Sequence, residues 1–255
     1  NRRINKIIGG DQNIEIEFIR HAPSLSNVMT KAQKLMEFSK SMPSVGYIKK
    51  KAMKLKGLNP DLNHFIKDVS LCHFGICCAI DAGGQYTNID SDIVLCSGML
   101  RAIQTAMFIF PNKKIIVLPF INEEAKSGPE RFLTGYARSP YQPISVVKKR
   151  IERTKEILKD PKLIHFGGDG YTLKRIVDWK EINGVTDFNI DFSTFELLEK
   201  ESESSPSRTG APGGDIDSLF HSSPKDFFEV FHRLMSIDVG KKIPCVTHGY
   251  TIRNS

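Results

Sequence analysis

The feature that most constrains the fold is a set of four short apolar runs, each followed by polar side chains. The runs are 14–19, 93–96, 115–118 and 243–247, and the polar residues after them are Arg20 with His21, Ser97 with Arg101, Glu123 or Glu124, and His248. Short runs that are wholly apolar, or that alternate with polar residues, are typical of β-strands. Because parallel strands bring their carboxyl ends to a common edge, we expect these polar side chains to converge.

Helical patterns separate the strand-like runs. Apolar residues at helical spacing predict helices over 28–42, 100–110, 144–158 and 224–237. Strands that alternate with helices predict an α/β protein built on a parallel sheet. Pro244 fits best at the start of the fourth strand, because proline cannot donate a hydrogen bond to a neighbouring strand.

The length of 255 residues predicts one domain over 1–255. Segments near 43–70 and 125–220 are interpreted as insertions, and the stretch near 199–217, rich in Ser, Pro, Gly and acids, predicts a flexible loop. The sequence starts without Met, which leads us to expect a partial chain. Four arginines of the second insertion are interpreted as solvated charges rather than substrate contacts: Arg131, Arg138, Arg150 and Arg153.

Cysteine content and hydropathy indicate where the protein works. No stretch of the sequence approaches the roughly 20 apolar residues that span a bilayer, which predicts a soluble protein. Five cysteines, an odd number in a chain that can fold without disulfides, favour a reducing compartment, and the cytoplasm is the predicted location. Cys72, His73, Cys77 and Cys78 suggest a metal site, but paired metal-ligand spacing is absent, so we interpret these cysteines as buried apolar thiols.

The formal net charge of +7 is concentrated in one segment. Residues 31–57 hold eight Lys and one acid, Glu37, so this segment alone accounts for the net charge. We interpret it as the solvated face of a helix. Two alternatives stay open: a surface that docks an acidic partner, nucleic acid or anionic lipid headgroups, and a lid that attracts anionic substrates.

The side chains expected at the edge of the sheet form a specific chemical set of two histidines, two arginines and a carboxylate. The guanidinium group of arginine matches the oxygens of a phosphoryl group by paired hydrogen bonds. A neutral imidazole can attack phosphorus, and a carboxylic acid can protonate the leaving oxygen. This set predicts phosphoryl transfer to a histidine.

Four segments also carry a family resemblance. Arg20-His21-Ala22-Pro23-Ser24-Leu25-Ser26-Asn27 resembles the RHG signature of the histidine phosphatase superfamily, Ser97 to Ala106 resembles its S-x-x-x-R-A-x-Q-T-A signature, Thr247-His248-Gly249 with Arg253 resembles its third signature, and Ile121-Asn122-Glu123 resembles the segment that brings the acid. Their shared order and strand context make the resemblance much stronger than any one segment alone. Because the patterns of the acid-phosphatase and phytase branch are missing, the resemblance is to the phosphoglycerate-mutase-like branch. The resemblance implies a three-layer sandwich with a mostly parallel central sheet and helices on both faces.

The resemblance also implies a role for each matching residue. His21 becomes phosphorylated, and Glu123 is the acid that later activates water, with Glu124 in that role if the loop register is shifted by one residue. The phosphate is held by the side chains of Arg20, Asn27, Arg101 and His248. Nearby guanidinium groups should lower the pKa of His21 and keep it neutral before phosphate binds. Neither a metal nor a cofactor is implied, because the arginines neutralise the developing charge.

Departures from the family pattern refine the expected activity. Ala22 stands where the family has Gly, which is tolerable unless the backbone there adopts a positive φ. Tyr250 replaces the Asn of true mutases and the residues after Glu123 lack their Arg-His-Tyr-Gly pattern, so we favour a phosphomonoester hydrolase acting on a phosphorylated small molecule or a phosphoprotein. Gly249 follows His248 where the acid-phosphatase branch has Asp. The alternatives are a phosphoglycerate-type mutase and a catalytically weak, phosphate-binding pseudoenzyme.

Overall fold

The computed structural model describes residues 2–9, 12–25, 27, 68–118, 121, 143–159, 170–184, 187–196, 242–249 and 252. Its strands are β1 (Arg2–Gly9), β2 (Gln12–Arg20), β3 (Ile93–Ser97), β4 (Lys114–Leu118), β5 (Ile190–Asp191) and β6 (Lys242–Thr247). Its helices are α1 (His73–Gly83), α2 (Leu100–Ile109), α3 (Ile144–Lys159) and α4 (Gly170–Asn183).

The strands form one sheet in the order β1-β2-β6-β3-β4-β5. Strands β2, β6, β3, β4 and β5 run parallel, and β1 pairs antiparallel with β2 at one edge. The four strands predicted from the sequence are the four inner strands β2, β6, β3 and β4. The prediction of an α/β protein with a mostly parallel sheet is therefore confirmed.

Both faces of the sheet are buried. Neighbouring residues of a strand point to opposite faces, so each strand contributes side chains to both core clusters. One face carries Ile19, Val94, Val117 and Val246, and its core cluster includes side chains from all four described helices. The other face carries Phe18, Leu95, Leu118 and Cys245, which cluster with Ile121 and Ile252. The helices predicted over 28–42 and 224–237, and with them the expectation of helices on both faces, lie outside the described residues.

Helix α2 lies in the middle of the first face, and all of its residues are buried. It follows β3 after a short turn and ends at Ile109, because Phe110 precedes Pro111 and leaves the helical region. The helices predicted over 100–110 and 144–158 are confirmed as α2 and α3. Within the described part of the chain, every helix is too short or too polar to cross a membrane.

Other elements have no clear pattern in the sequence. Helix α1 contains Gly75, Cys77 and Cys78, residue types with modest or low helix propensity, and β5 has only two residues. Strand β5 nevertheless pairs with β4, although it lies in the segment 125–220 that we interpret as an insertion. Pro244 is the third residue of β6 rather than its first, and β6 pairs with β3 only from Cys245 onward.

All five cysteines lie in the described part of the chain, and each is a thiol rather than half of a disulfide. The prediction of buried thiols for Cys72, Cys77 and Cys78 is confirmed for Cys77 and wrong for Cys72 and Cys78, which are half-buried. Cys96 and Cys245 are buried as well. Burial raises the pKa of the Cys96 and Cys245 thiols, which keeps both protonated at neutral pH. Within the described residues, no three His, Cys, Asp or Glu side chains lie together as metal ligands would.

Candidate active site

The sheet register brings the two predicted histidines to one edge. Strands β2 and β6 are neighbours, and Arg20 lies opposite Thr247. The backbone N–H of His21 donates to the carbonyl oxygen of Thr247 at 2.9 Å, which extends the pairing one residue beyond the strands. His21 and His248 therefore follow adjacent strand ends, and their ring centroids are 5.0 Å apart.

His21 is held in one orientation and one protonation state. Its Nδ1–H donates to the carbonyl oxygen of Ala22 at 2.7 Å, so the other ring nitrogen, Nε2, is left unprotonated in the neutral ring. The guanidinium Nε–H of Arg101 donates to that Nε2 at 3.3 Å. Burial, then the charges of Arg101 and Arg20, lower the pKa of His21 to about 3, against the opposing effect of the Ala22 hydrogen bond.

His248 is buried even more completely, at 0% exposure. Its Nε2 is hydrogen-bonded to the Ser97 hydroxyl at 2.8 Å, and that hydroxyl also accepts the backbone N–H of Met99 at 3.3 Å. Burial lowers the pKa of His248 well below its ordinary value, and the charge of Arg101, repulsion from a protonated His21 and the charge of Arg20 act in the same direction. Both imidazoles are therefore neutral at physiological pH.

The two predicted arginines differ in how firmly they are held. Arg101 lies in the first turn of α2 and is buried at 3% exposure. Arg20, the last residue of β2, is exposed, and its side chain lies against Gly249. A Cβ atom at position 249 would be 3.1 Å from Arg20 Nε, which is closer than ordinary van der Waals contact. Glycine at this position thus leaves space for the Arg20 side chain.

The loop after His21 is fixed by side chains on both of its flanks. The Oδ1 of Asn27 accepts the backbone N–H and the hydroxyl of Ser24, each at 2.9 Å. The backbone N–H of Ala22 donates to Thr105 Oγ1 at 3.0 Å, and the Thr105 hydroxyl donates to the Arg101 carbonyl oxygen at 2.7 Å. Asn27 therefore organises the loop, while its predicted contact with phosphate stays a prediction.

Ala22 has ordinary backbone geometry. Among the described residues that carry a Cβ, a positive φ occurs at Asp68 alone, with φ of 54°. Ala22 therefore does not have the positive φ that would make alanine intolerable at this position. Its methyl group is buried in the same core cluster as Leu71 and Ala79.

Two site residues have structural roles that the sequence did not assign. Ser97 contacts His248, and Thr105 joins α2 to the loop after His21. Both lie inside the segment 97–106 that carries the family resemblance, so the signal was present, but the partners are 151 and 83 residues away in the chain. Only the fold shows those partners.

The predicted acids Glu123 and Glu124, like Arg253, lie outside the described residues. The start of the Glu123 segment is described, and the Thr247 hydroxyl donates to the carbonyl oxygen of Ile121 at 2.6 Å. That bond places the chain after β4 beside the carboxyl end of β6. The role of Glu123 stays a prediction.

The described groups together form an anion-binding environment. Two guanidinium groups stand beside two neutral imidazoles, and the nitrogen of His21 that lacks a proton faces one of the guanidinium groups. Arginine favours tetrahedral oxyanions such as phosphate, which accept several N–H bonds at once.

Comparison with known protein families and with characterised proteins finds no matching family model and no matching relative.

Proposed function

We propose that this protein is a phosphomonoester hydrolase that forms a phosphohistidine on Nε2 of His21. The observation that carries the proposal is the arrangement of that ring: Nδ1–H is bonded to the Ala22 carbonyl oxygen, and Nε2 faces Arg101. A neutral imidazole held with one nitrogen unprotonated is the form that attacks phosphorus. The guanidinium group at the same nitrogen lies where the oxygens of an attached phosphoryl group would need it.

The proposed reaction has two steps. In the first, Arg101 Nε–H leaves His21 Nε2 and donates to a phosphoryl oxygen instead. The freed Nε2 lone pair forms a bond to phosphorus while the bond from phosphorus to the ester oxygen breaks, and Glu123 protonates that oxygen. In the second, water attacks phosphorus, the Glu123 carboxylate takes its proton, and the bond from phosphorus to Nε2 breaks. Inorganic phosphate leaves and His21 is neutral again. Glu124 takes the role of Glu123 if the loop register is shifted by one residue.

The surrounding residues have complementary roles in this proposal. Arg101, Arg20 and His248 hold the phosphoryl oxygens, and Asn27 adds a further hydrogen bond. The phosphorylated ring is cationic, and the bond from Nδ1–H to the Ala22 carbonyl oxygen stabilises that cation. The fold proposed for this chemistry is the three-layer sandwich of the phosphoglycerate-mutase-like branch, for which the mostly parallel sheet is a necessary condition.

The proposed substrate is a phosphomonoester in the cytoplasm, either a small molecule or a phosphoprotein. A monoester is favoured over a diester because two guanidinium groups and His248 serve several oxygens of one phosphoryl group. The Lys-rich segment 31–57 is proposed to attract anionic substrates or an acidic partner. That segment lies outside the described residues.

The test is direct detection of the phosphohistidine. The protein is mixed with an aryl phosphate, quenched in alkali, which preserves phosphohistidine, and mapped by mass spectrometry. We expect label on His21, none in His21→Ala, and normal labelling in His73→Ala, the same substitution at a histidine at the start of α1. Label on another residue, or turnover that survives His21→Ala, contradicts the proposal.

A second measurement separates hydrolase from mutase. The hydrolase releases inorganic phosphate from the aryl phosphate at the same rate with and without a bisphosphorylated primer. A phosphoglycerate-type mutase requires the primer and releases little phosphate. A folded protein that binds phosphate and yet shows neither label nor turnover is the phosphate-binding pseudoenzyme.

A further inference from the structure

Asp68 is an acidic residue in an unusual environment. Its side chain is buried at 1% exposure, and its backbone is in the left-handed region with φ of 54°. Residues with a Cβ seldom adopt that conformation, although Asp and Asn tolerate it best. A buried carboxylate and an uncommon backbone at the same residue indicate that the surrounding contacts hold it there.

The first of these contacts is with the start of α2. Asp68 Oδ1 accepts the backbone N–H of Leu100, the first residue of that helix, at 2.8 Å. The first N–H groups of a helix have no partners inside it, and Met99, which precedes α2, provides no side-chain cap. Asp68 supplies the missing acceptor from 32 residues away, and its negative charge suits the positive end of the helix dipole.

The second contact is with α3. The guanidinium Nη1 of Arg150 donates to the backbone carbonyl oxygen of Asp68 at 2.6 Å. Burial lowers the pKa of Arg150, and the negative charge of Asp68 opposes that shift. One turn further along α3, the Thr154 hydroxyl accepts a hydrogen bond from the Gln104 side chain of α2 at 3.1 Å. Arg150 is therefore a half-buried structural residue, not the solvated charge that the sequence suggested.

The residue after Leu100 is Arg101, whose Nε–H donates to His21 Nε2. That hydrogen bond is 3.3 Å long, near the outer limit for such a bond, so a shift of the helix start by about 0.3 Å would break it. The Asp68 carboxylate holds Leu100, the residue directly before Arg101 in the chain.

We propose that Asp68 is a positioning residue for the phosphate pocket: clamped by Arg150, it holds the N-terminal turn of α2 so that Arg101 faces His21 Nε2. Asp68 contacts neither histidine in this scheme and acts only through α2. Its effect on turnover rests on the proposed function, whereas its effect on Arg101 does not. The two can therefore be tested separately.

Two substitutions isolate the carboxylate contact. Asp68→Gly permits the left-handed backbone and removes the acceptor, whereas Asp68→Asn keeps an acceptor in a residue that also tolerates positive φ. Asp191→Gly is the matched control, because Asp191 Oδ1 also accepts a backbone N–H, that of Ser193 at 3.0 Å, but does so at the β5 edge of the sheet.

The primary measurement is the ¹⁵N NMR resonance of Arg101 Nε–H, assigned by its loss in Arg101→Lys, together with the affinity for inorganic phosphate. We expect Asp68→Gly to move this resonance toward the values of exposed arginines and to weaken phosphate binding about tenfold. Turnover should fall by up to about 100-fold, the effect of a misplacement on the ångström scale. Asp68→Asn should restore most of each signal, and Asp191→Gly should change none.

An unchanged Arg101 resonance and unchanged phosphate affinity in folded Asp68→Gly would overturn the proposal. If Asp68→Gly does not fold, Arg150→Met provides the test, since it removes the clamp and leaves the carboxylate: a smaller shift of the same resonance is expected, and no shift overturns the proposal. Absence of turnover in the unaltered protein contradicts the proposed hydrolase alone, because the Arg101 resonance and phosphate affinity still report on Asp68.

Discussion

The two ends of α2 are built from different kinds of contact. Its N-terminal half makes directional hydrogen bonds through Arg101 to His21, through Gln104 to Leu71 N and Thr154, and through Thr105 to Ala22. Leu100 and Ile103 of that part are also buried in the core. The last three residues, Met107 to Ile109, are all apolar and pack in the core beside Trp179 of α4. Hydrogen bonds fix direction, whereas apolar burial stabilises without strict geometry.

This difference assigns separate tasks to the two ends. The C-terminal half should account for a large share of the stability that α2 contributes, because it buries large apolar side chains on all sides. The hydrogen bonds of the N-terminal part should contribute less net stability than apolar burial does, since polar groups exchange bonds with water for bonds within the protein. They should instead determine how well the pocket binds a phosphoryl group. Substitutions at either end can break or sharpen this division.

The largest expected effect on stability is at the C-terminal end. Phe108 is 2% exposed, and its ring packs edge-on against Trp179 with 5.4 Å between centroids. Phe108→Ala should lower the free energy of unfolding by about 3–5 kcal/mol, because it removes a buried ring and leaves a cavity. Denaturant titration followed by the fluorescence of Trp179, the single tryptophan of the chain, measures this change.

Two comparisons sharpen that result. Ile182→Ala, at a side chain that is 82% exposed, should change the unfolding free energy by no more than about 0.5 kcal/mol. Below the unfolding transition, the rate per folded molecule of Phe108→Ala should equal that of the unaltered protein. A rate loss as large as the stability loss would show that the two ends are not independent.

The largest expected effect on activity is at the N-terminal end. Arg101→Lys keeps the positive charge but removes the forked donor geometry and the bond to His21. The proposed hydrolase activity should fall by about 100-fold, or about 3 kcal/mol, which is typical for the loss of one transition-state donor. Steady-state kinetics with an aryl phosphate measure this loss. Arg175→Lys, in an ion pair with Asp81 away from the proposed site, is the control and should keep full activity.

This division into two ends could be predicted only in part from the sequence. The inner strands and α2 were predictable because their apolar residues follow strand or helix spacing and each run is followed by polar residues or a proline. The positions of the strand ends predict that His21, Arg101 and His248 lie close together, and the described geometry confirms their proximity. Local pattern and one topological rule were sufficient for this much.

The contacts that tune the site could not be predicted. Asp68 precedes Leu100 by 32 residues and Arg150 follows Asp68 by 82, and neither pair has a local periodicity that links it. A left-handed backbone at an aspartate also leaves no mark on the sequence. Single charged residues are usually solvated, which is why Arg150 was interpreted in that way. Its burial depends on the packing of α3 against α2.

Acid should weaken the folded state through the two histidines of the site. The unfolded imidazole titrates near 6.5, and the pKa of folded His21 is lowered to about 3. Between these values the unfolded state binds more protons, so stability is full above pH 6.5 and falls as the pH is lowered toward 3. The expected slope is on the order of 1 kcal/mol per pH unit for each histidine, because His248 is shifted in the same direction.

Denaturant titrations at a series of pH values between 4 and 7 measure this slope. The double variant His21→Gln with His248→Gln should flatten it. An equally steep slope in the double variant would show that other groups cause the acid sensitivity. The same neutral state predicts that phosphorylation of His21 by an aryl phosphate does not slow from protonation of His21 between pH 7 and pH 4.

The smallest expected effect tests whether the position of the Arg20 side chain matters for activity as that of Arg101 does. Gly249 has no positive φ, so Gly249→Ala adds only a methyl group, which would lie 3.1 Å from Nε and 3.3 Å from Cζ of Arg20. Because Arg20 is exposed and flexible, it can move by a few tenths of an ångström, and the unfolding free energy should change by no more than about 0.5 kcal/mol.

The same movement should weaken the contact between Arg20 and the phosphoryl group. The specificity constant kcat/KM should fall by roughly fivefold, or about 1 kcal/mol, which is part of a charge-assisted hydrogen bond. Gly84→Ala, where the added methyl group has ordinary contact distances, should change neither quantity. An unchanged kcat/KM in Gly249→Ala would mean that Arg20 adapts freely, so that the precise geometry of the pocket resides in Arg101 and the N-terminal turn of α2 alone.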